Sequence, residues 1–97
     1  MTNTTKHTAM NKRIAKKLDK IDSLLLQVQD TLNTIRIDDV EPQLEKAEEY
    51  ADEHENSERA QERLEMWETD NSELEEIEDE LDQLRSRLQD LYSSFID

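Results

Sequence analysis

Two rows of apolar residues, seven members each, constrain this chain more than anything else in it. Ile14, Leu18, Ile21, Leu25, Val28, Leu32 and Ile35 follow one another at steps of 4, 3, 4, 3, 4 and 3. Leu74, Ile77, Leu81, Leu84, Leu88, Leu91 and Phe95 follow at 3, 4, 3, 4, 3 and 4. On an α-helix these steps hold all the apolar side chains on one stripe, the heptad pattern of helices packed side by side. With Ile14 at position d and Leu18 at a, the first row is an unbroken seam, and Leu74 opens the second seam at a. Leu24 widens the first stripe, which favours more than one packing neighbour.

The chain has no glycine and one proline, so little interrupts helix. An all-α fold is expected, an elongated three-helix bundle or coiled coil with helices at about 10–37, 40–68 and 72–95. The polar, threonine-rich start, residues 1–9, is expected to be a flexible tail, and residues 10–97 a single helical domain. A first boundary is read at IDDVEP, residues 37–42, where Asp38 with Glu41 resembles a capping box and Pro42 suits a first turn. A second is read at TDNS, residues 69–72, where Ser72 and Glu75 repeat that pattern.

The middle region is less regular. Val40, Leu44, Ala47 and Ala51 share one helical face, while Ala60, Leu64 and Trp67 lie roughly 200° away at about 100° per residue. Residues 52–59, DEHENSER, contain nothing apolar. A break near 55–57 is expected. With the middle region as one helix, helices one and three run parallel, and Lys16, Lys17 and Lys20 lie beside Glu73, Glu76 and Glu80. That charge match favours the bundle. If the middle folds as a small hairpin, the two seams instead pair antiparallel, with Ile35 opposite Leu74 and Ile14 opposite Phe95.

Charge is divided along the chain. Residues 1–36 hold seven Lys/Arg against three Asp, a net +4, and residues 37–97 hold five against 23 Asp/Glu, a net −18. Two acidic ridges stand out. One is Glu45, Glu48, Glu49, Asp52, Glu53 and Glu55; the other is Glu73, Glu75, Glu76, Asp79, Glu80 and Asp82. Carboxylates three or four residues apart on a helix are about 5–6 Å apart, comparable with phosphate spacing along a nucleic acid strand. The ridges, set side by side, would imitate a duplex backbone. A solvated face that only keeps the protein in solution is the plainer explanation, but −18 over 61 residues exceeds what solubility needs.

Signals of catalysis are absent. Without glycine there is no phosphate-cradling loop, and without cysteine no thiolate chemistry. His7 and His54 sit in polar stretches, no Glu-x-x-His pair exists, and no calcium-loop pattern occurs, so neither cofactor nor metal is expected. The longest apolar run, Leu24–Leu26, is too short for a membrane span.

The expected function is therefore a non-enzymatic, acidic protein-binding module in a cytoplasm, a host's if a virus or mobile element encodes it. Its sharpest form is an inhibitor that mimics nucleic-acid charge and blocks a basic surface of a nucleic-acid-handling or defence enzyme. Trp67 is a candidate partner anchor. The alternatives are a self-assembling structural coiled coil and an adaptor that folds on its partner, since 33% apolar against 39% charged residues approaches the disordered range. A homo-oligomer, most simply a dimer, is expected because the core is small. Direct nucleic-acid binding through Lys12, Arg13, Lys16, Lys17 and Lys20 is disfavoured by the negative remainder.

Overall fold

The structure, a computed structural model, describes residues 8–96, and among these it contains helix and one turn but no strand. Helix α1 spans Thr8–Thr34, a π-helical segment spans Ile35–Val40, α2 spans Glu41–Glu53, and α3 spans Glu58–Ile96. Most of the expected tail, residues 1–7 with His7, lies outside the described residues.

Two of the three expected boundaries are not boundaries. Helix continues through 37–42, where only the hydrogen-bond pattern changes, and α3 runs unbroken through 69–72. Ser72 and Glu75 thus sit inside a helix rather than at its start. The reason is energetic: extending a helix adds one hydrogen bond for each residue fixed, whereas restarting one requires an unfavourable new nucleus. A capping motif ends nothing where the apolar row runs on through it, as it does here from Leu64 and Trp67 to Leu74 and Leu81. The break read near 55–57 is present. There the polar stretch offers no surface to bury, and His54 leaves the helix at φ −128°, ψ 58°. Its amide donates to the carbonyls of Tyr50 at 3.0 Å and Ala51 at 3.3 Å. Ser57 starts α3, its Oγ accepting the Ala60 amide at 3.2 Å, the usual N-cap bond.

The π-helical segment has a counterpart in the apolar spacing. After Ile35 the next member of the row is Val40, five residues on, followed by Leu44, Ala47 and Ala51 at steps of 4, 3 and 4. One residue has been added to the heptad. A π-turn, in which an amide bonds to the fifth carbonyl before it, accommodates one extra residue without ending the helix. Glu41 N–H bonds in this way to the Arg36 carbonyl, and Val40 is returned to a buried position.

The chain divides into two compact units. Unit 1 pairs the α1 part up to Gln29 with the α3 part from Glu80, and Arg85 bonds to both Asp22 and Gln29. Unit 2, Asp30–Asp79, is a helical hairpin closed by the turn at 54–57, in which Glu78 bonds to Asn33 and Arg36. Within each unit the segments run antiparallel. The parallel arrangement favoured by the Lys16–Lys20 and Glu73–Glu80 charges is therefore corrected to the antiparallel alternative.

Among the described residues the buried apolar ones are small: Ala15, Val40, Ala47, Ala51 and Ala60. Larger side chains in the rows keep part of their surface in water, because a two-helix pair covers each from one side only.

Replacing Ser57 by Ala is expected to cost about 1 kcal/mol by removing the N-cap bond, read from urea unfolding. Deleting Asp39 removes the extra residue of the heptad. The expected result is an unchanged circular dichroism spectrum and a stability change within about 1 kcal/mol, where a deletion inside a regular seam would misplace every following residue.

Candidate acidic interface and its half-buried ion pairs

The rows that face inward keep Leu18, Leu25, Leu32, Leu74, Leu81, Leu88 and Phe95 of the expected seams, while the members between them are offset by one position. In unit 1 the buried and half-buried set on α1 includes Ala15, Leu18, Asp22, Leu25 and Gln29, and on α3 it is Leu81, Arg85, Leu88, Tyr92 and Phe95. In unit 2 it includes Leu32, Arg36, Val40, Leu44, Ala47 and Ala51 with Ala60, Leu64, Trp67, Asn71, Leu74 and Glu78. Ile21, Val28, Ile35, Ile77, Leu84 and Leu91 are left exposed, while Ile14 stays half-buried. The steps 4 and 3 describe both rows, because each heptad carries two apolar positions and, beside one of them, a third position that is mostly polar. Opposite charges at the third position make the choice.

Those charges meet in two clusters. In unit 2, Arg36 Nε donates to Glu78 Oε2 at 2.7 Å, with both side chains more than four-fifths out of solvent. Arg36 Nη1 donates to Glu41 Oε1 at 3.0 Å and lies 3.9 Å from Glu75 Oε1. Asn33 Nδ2 donates to the other Glu78 oxygen at 3.0 Å. In unit 1, Arg85 Nε and Nη2 donate to the two oxygens of Asp22 at 2.9 and 3.3 Å, a forked pair, while Nη1 donates to Gln29 Oε1 at 2.9 Å. Guanidinium suits these sites because its fixed planar fork serves several acceptors at once.

The pairing moves the acids' ionisation. The hydrogen bond from Arg36 is the main cause holding the Glu78 carboxyl below the usual glutamate value, against the opposing effect of burial, with Asn33 and the Arg36 charge adding to the lowering. Arg85 does the same for Asp22, again against burial. Arg36 is raised above the ordinary arginine value, chiefly by its bond to Glu78.

The twelve acidic-ridge residues are all exposed. Their placement differs from the side-by-side ridges the sequence suggested. Glu73, Glu75, Glu76 and Asp79 lie on the stretch of α3 that pairs with Asn33 and Arg36, not with α2. Glu80 and Asp82 belong to unit 1. The acids that approach the end of the Glu45–Glu55 ridge are Glu58, Glu62 and Glu65, which line one groove at the turn together with Glu55. Glu41, Glu45 and Glu48 line a second groove with Asn71. Glu41, Glu58, Glu62 and Glu65 were not singled out from the sequence. The signal was present in the turn at 54–57, which sets Glu55 beside the first turns of α3.

Trp67 takes a place in the half-buried row between Leu64 and Asn71 rather than on an exposed face. Its indole N–H and Asn71 Oδ1, one turn apart, have no hydrogen-bond partner within the protein. His54 stacks on Tyr50 with ring centroids 4.1 Å apart, and its Nδ1 lies 2.9 Å from the Tyr50 carbonyl oxygen, a helix-end role. Among the described residues no group of three or more His, Cys, Asp or Glu is placed to hold a metal ion. No described helix is long and apolar enough to cross a membrane.

No protein-family model, curated protein or solved structure matches the chain.

The lowered carboxyl values set a pH dependence. Each folded-state value lies below its unfolded one, so the stabilisation is complete above the ordinary carboxylate range and drains away as pH falls through the lowered values. The loss of stability on acidification should therefore be shallower in Glu78→Gln and Asp22→Asn than in the natural protein, as measured by urea midpoints across the acid range. At neutral pH, Arg36→Met is expected to cost about 1.5–3 kcal/mol, the range for hydrogen bonds to charged groups. Adding Glu78→Leu should recover part of that, since it removes the half-buried carboxylate left without its partner.

Proposed function

We propose that this protein is a non-enzymatic, acidic helical module that binds another protein. Residues 30–79 present their carboxylates to a basic surface on a nucleic-acid-handling or defence enzyme and take the place of nucleic acid there. The observation that supports this reading is how sharply the charge follows the compact units. Residues 30–79 carry twenty Asp/Glu against four Lys/Arg, a net −16, whereas residues 8–29 and 80–96 carry seven Lys/Arg against five Asp/Glu, a net +2. A net charge of magnitude about 2–8 is enough to keep a small domain soluble, and an excess confined to one unit has no such purpose.

The geometry that would serve this role is a helical hairpin with acids on both arms. Glu45, Glu48, Glu49, Asp52 and Glu53 lie on one arm, and Glu58, Glu62 and Glu65 on the other. Successive carboxylates one turn apart repeat at about 5–6 Å, within reach of lysines and arginines spaced to hold phosphates. Ile35, Ile37, Tyr50, Met66 and Ile77 are exposed singly among these acids, and in this reading electrostatics drives recognition. Such contacts raise association rates and weaken steeply with salt. In this reading the helices pair as a coiled coil, the chain works in a cytoplasm, and no cofactor takes part.

The test is capture from a lysate of cells through a salt series, with competing DNA and RNA. Nucleic-acid enzymes should be retained at low salt, be released as salt rises, and be displaced by nucleic acid. Reversing Glu48, Asp52, Glu62 and Glu65 to Lys should reduce capture at least tenfold while leaving helicity unchanged. Retention that salt and nucleic acid do not affect, or that survives the four reversals, rejects the reading. A scaffold whose acids are merely solvated would give that outcome.

A further inference from the structure

Unit 1 carries an apolar strip that no described residue covers. Ile21, Leu24 and Val28 on α1, and Leu84 and Leu91 on α3, are each 41–51% exposed. Ile21, Leu24 and Val28 are spaced 3 and 4 apart, so they form one patch on their helix. Ile21, Val28, Leu84 and Leu91 share a further property: each immediately precedes a half-buried residue of the inward row, namely Asp22, Gln29, Arg85 and Tyr92. Arg85 bonds to Asp22 and Gln29, while farther along α3 Leu88 and Tyr92 share a groove with Leu18 and Asp22, so the two segments run antiparallel. Reversing one helix also reverses its sense of rotation as seen from its partner. Residues offset equally from the inward row therefore line the same edge of an antiparallel pair. The four side chains accordingly line one edge of unit 1, Leu24 widens the strip, and the exposed Arg87, which precedes Leu88, stands between Leu84 and Leu91. The opposite edge carries Asp19, Leu26, Asp82 and Gln89 and is mostly polar.

We propose that this strip is the contact face of a symmetric homodimer, in which a second copy of the chain lays its own strip against it to enclose a four-segment helical core. Two observations select a second copy as the occupant. A two-fold contact sets a surface against its own image, so it suits a surface that does not repel itself. Unit 1, at a net +2 over its described residues with both signs interspersed, satisfies this, whereas the −16 unit does not. The strip is also charged oppositely at its two ends. Lys17 stands one turn before Ile21, and Glu80 stands one turn before Leu84; both are exposed. Because the segments run in opposite directions, these two residues mark opposite ends of the strip. A two-fold axis through the middle exchanges the ends and brings Lys17 of one protomer to Glu80 of its partner, twice per dimer. The half-exposed row at Leu18, Leu25, Leu81 and Leu88 then gains cover on its second side. This inference stands apart from the acidic-surface reading; of the ridge acids it uses only Glu80, which lies outside residues 30–79.

Sedimentation equilibrium on the full chain tests it. The natural protein should give twice the 11.5 kDa chain mass. Val28→Asp and Leu84→Lys, at exposed positions, should each shift the mass toward that of the single chain, with helicity by circular dichroism retained. Lys17→Glu and Glu80→Lys should each weaken self-association roughly tenfold, since each variant turns two attractive pairs into repulsive ones. The combined swap should restore it. The swap keeps the measurement decisive if an apolar-to-charged variant loses its fold. A monomer at every accessible concentration overturns the proposal. So does a dimer that ignores the strip variants, or a pair of charge variants whose combination shows no recovery. Chain that stays monomeric alone but seats a helix of another protein on the strip also overturns it.

Discussion

Arg36 and Arg85 each hold a carboxylate at 2.7–2.9 Å, and in each pair about four-fifths of both side chains is withdrawn from water. Such pairs contribute modestly to stability, because desolvation offsets much of the attraction. They are nevertheless strongly selective. An alignment that withdraws either arginine from water without its acid forfeits these bonds, about 1.5–3 kcal/mol for hydrogen bonds to a charged group. In each unit the pair therefore decides which side of the helix faces inward. The half-buried leucines, the exposed strip and the exposed acids follow from that choice.

The same selection explains an arrangement that looks inverted. Apolar residues such as Val28 and Leu84 stand outside while Gln29 and Arg85 next to them stand half inside. Both helices carry three apolar or pairing positions per heptad, a stripe wider than one partner can cover. A single antiparallel neighbour covers one flank of it. The width of the stripe is itself a statement about how many helices the protein is built to contact.

Helix continuity is governed by a different balance. The turn at 54–57 coincides with the only long stretch in which the apolar row stops and resumes on another face. At 69–72 the row passes straight through, and the helix does too. At 35–40 the row slips by one residue, and the backbone accommodates the slip with a π-helical turn instead of ending. Pro42, on the second residue of α2, tolerates this because its missing amide falls at the start of a renewed α-pattern. Capping motifs were thus poor guides to boundaries, and the course of the apolar row was a good one. The step of five from Ile35 to Val40 could have been read as an insertion. It was obscured by Asp38, Glu41 and Pro42, which together resemble a helix start.

The amino-acid sequence by itself determined that the chain is helical, because it lacks glycine, has one proline and repeats apolar residues at helical spacing. It also determined the break near 55–57, because DEHENSER has nothing to bury, and the acidity of everything after residue 36. It left open which of two overlapping rows packs inward, because steps of 4 and 3 describe both. Only the tertiary structure decided that, through the long-range partners of Arg36 and Arg85. It also decided which acids share a surface: Glu58, Glu62 and Glu65 join Glu55 because the hairpin folds there, while Glu73–Asp79 are carried to the opposite end of unit 2 by pairing with Asn33 and Arg36. Contacts between residues more than forty positions apart depend on register, and register is set by which charges find each other across the pair.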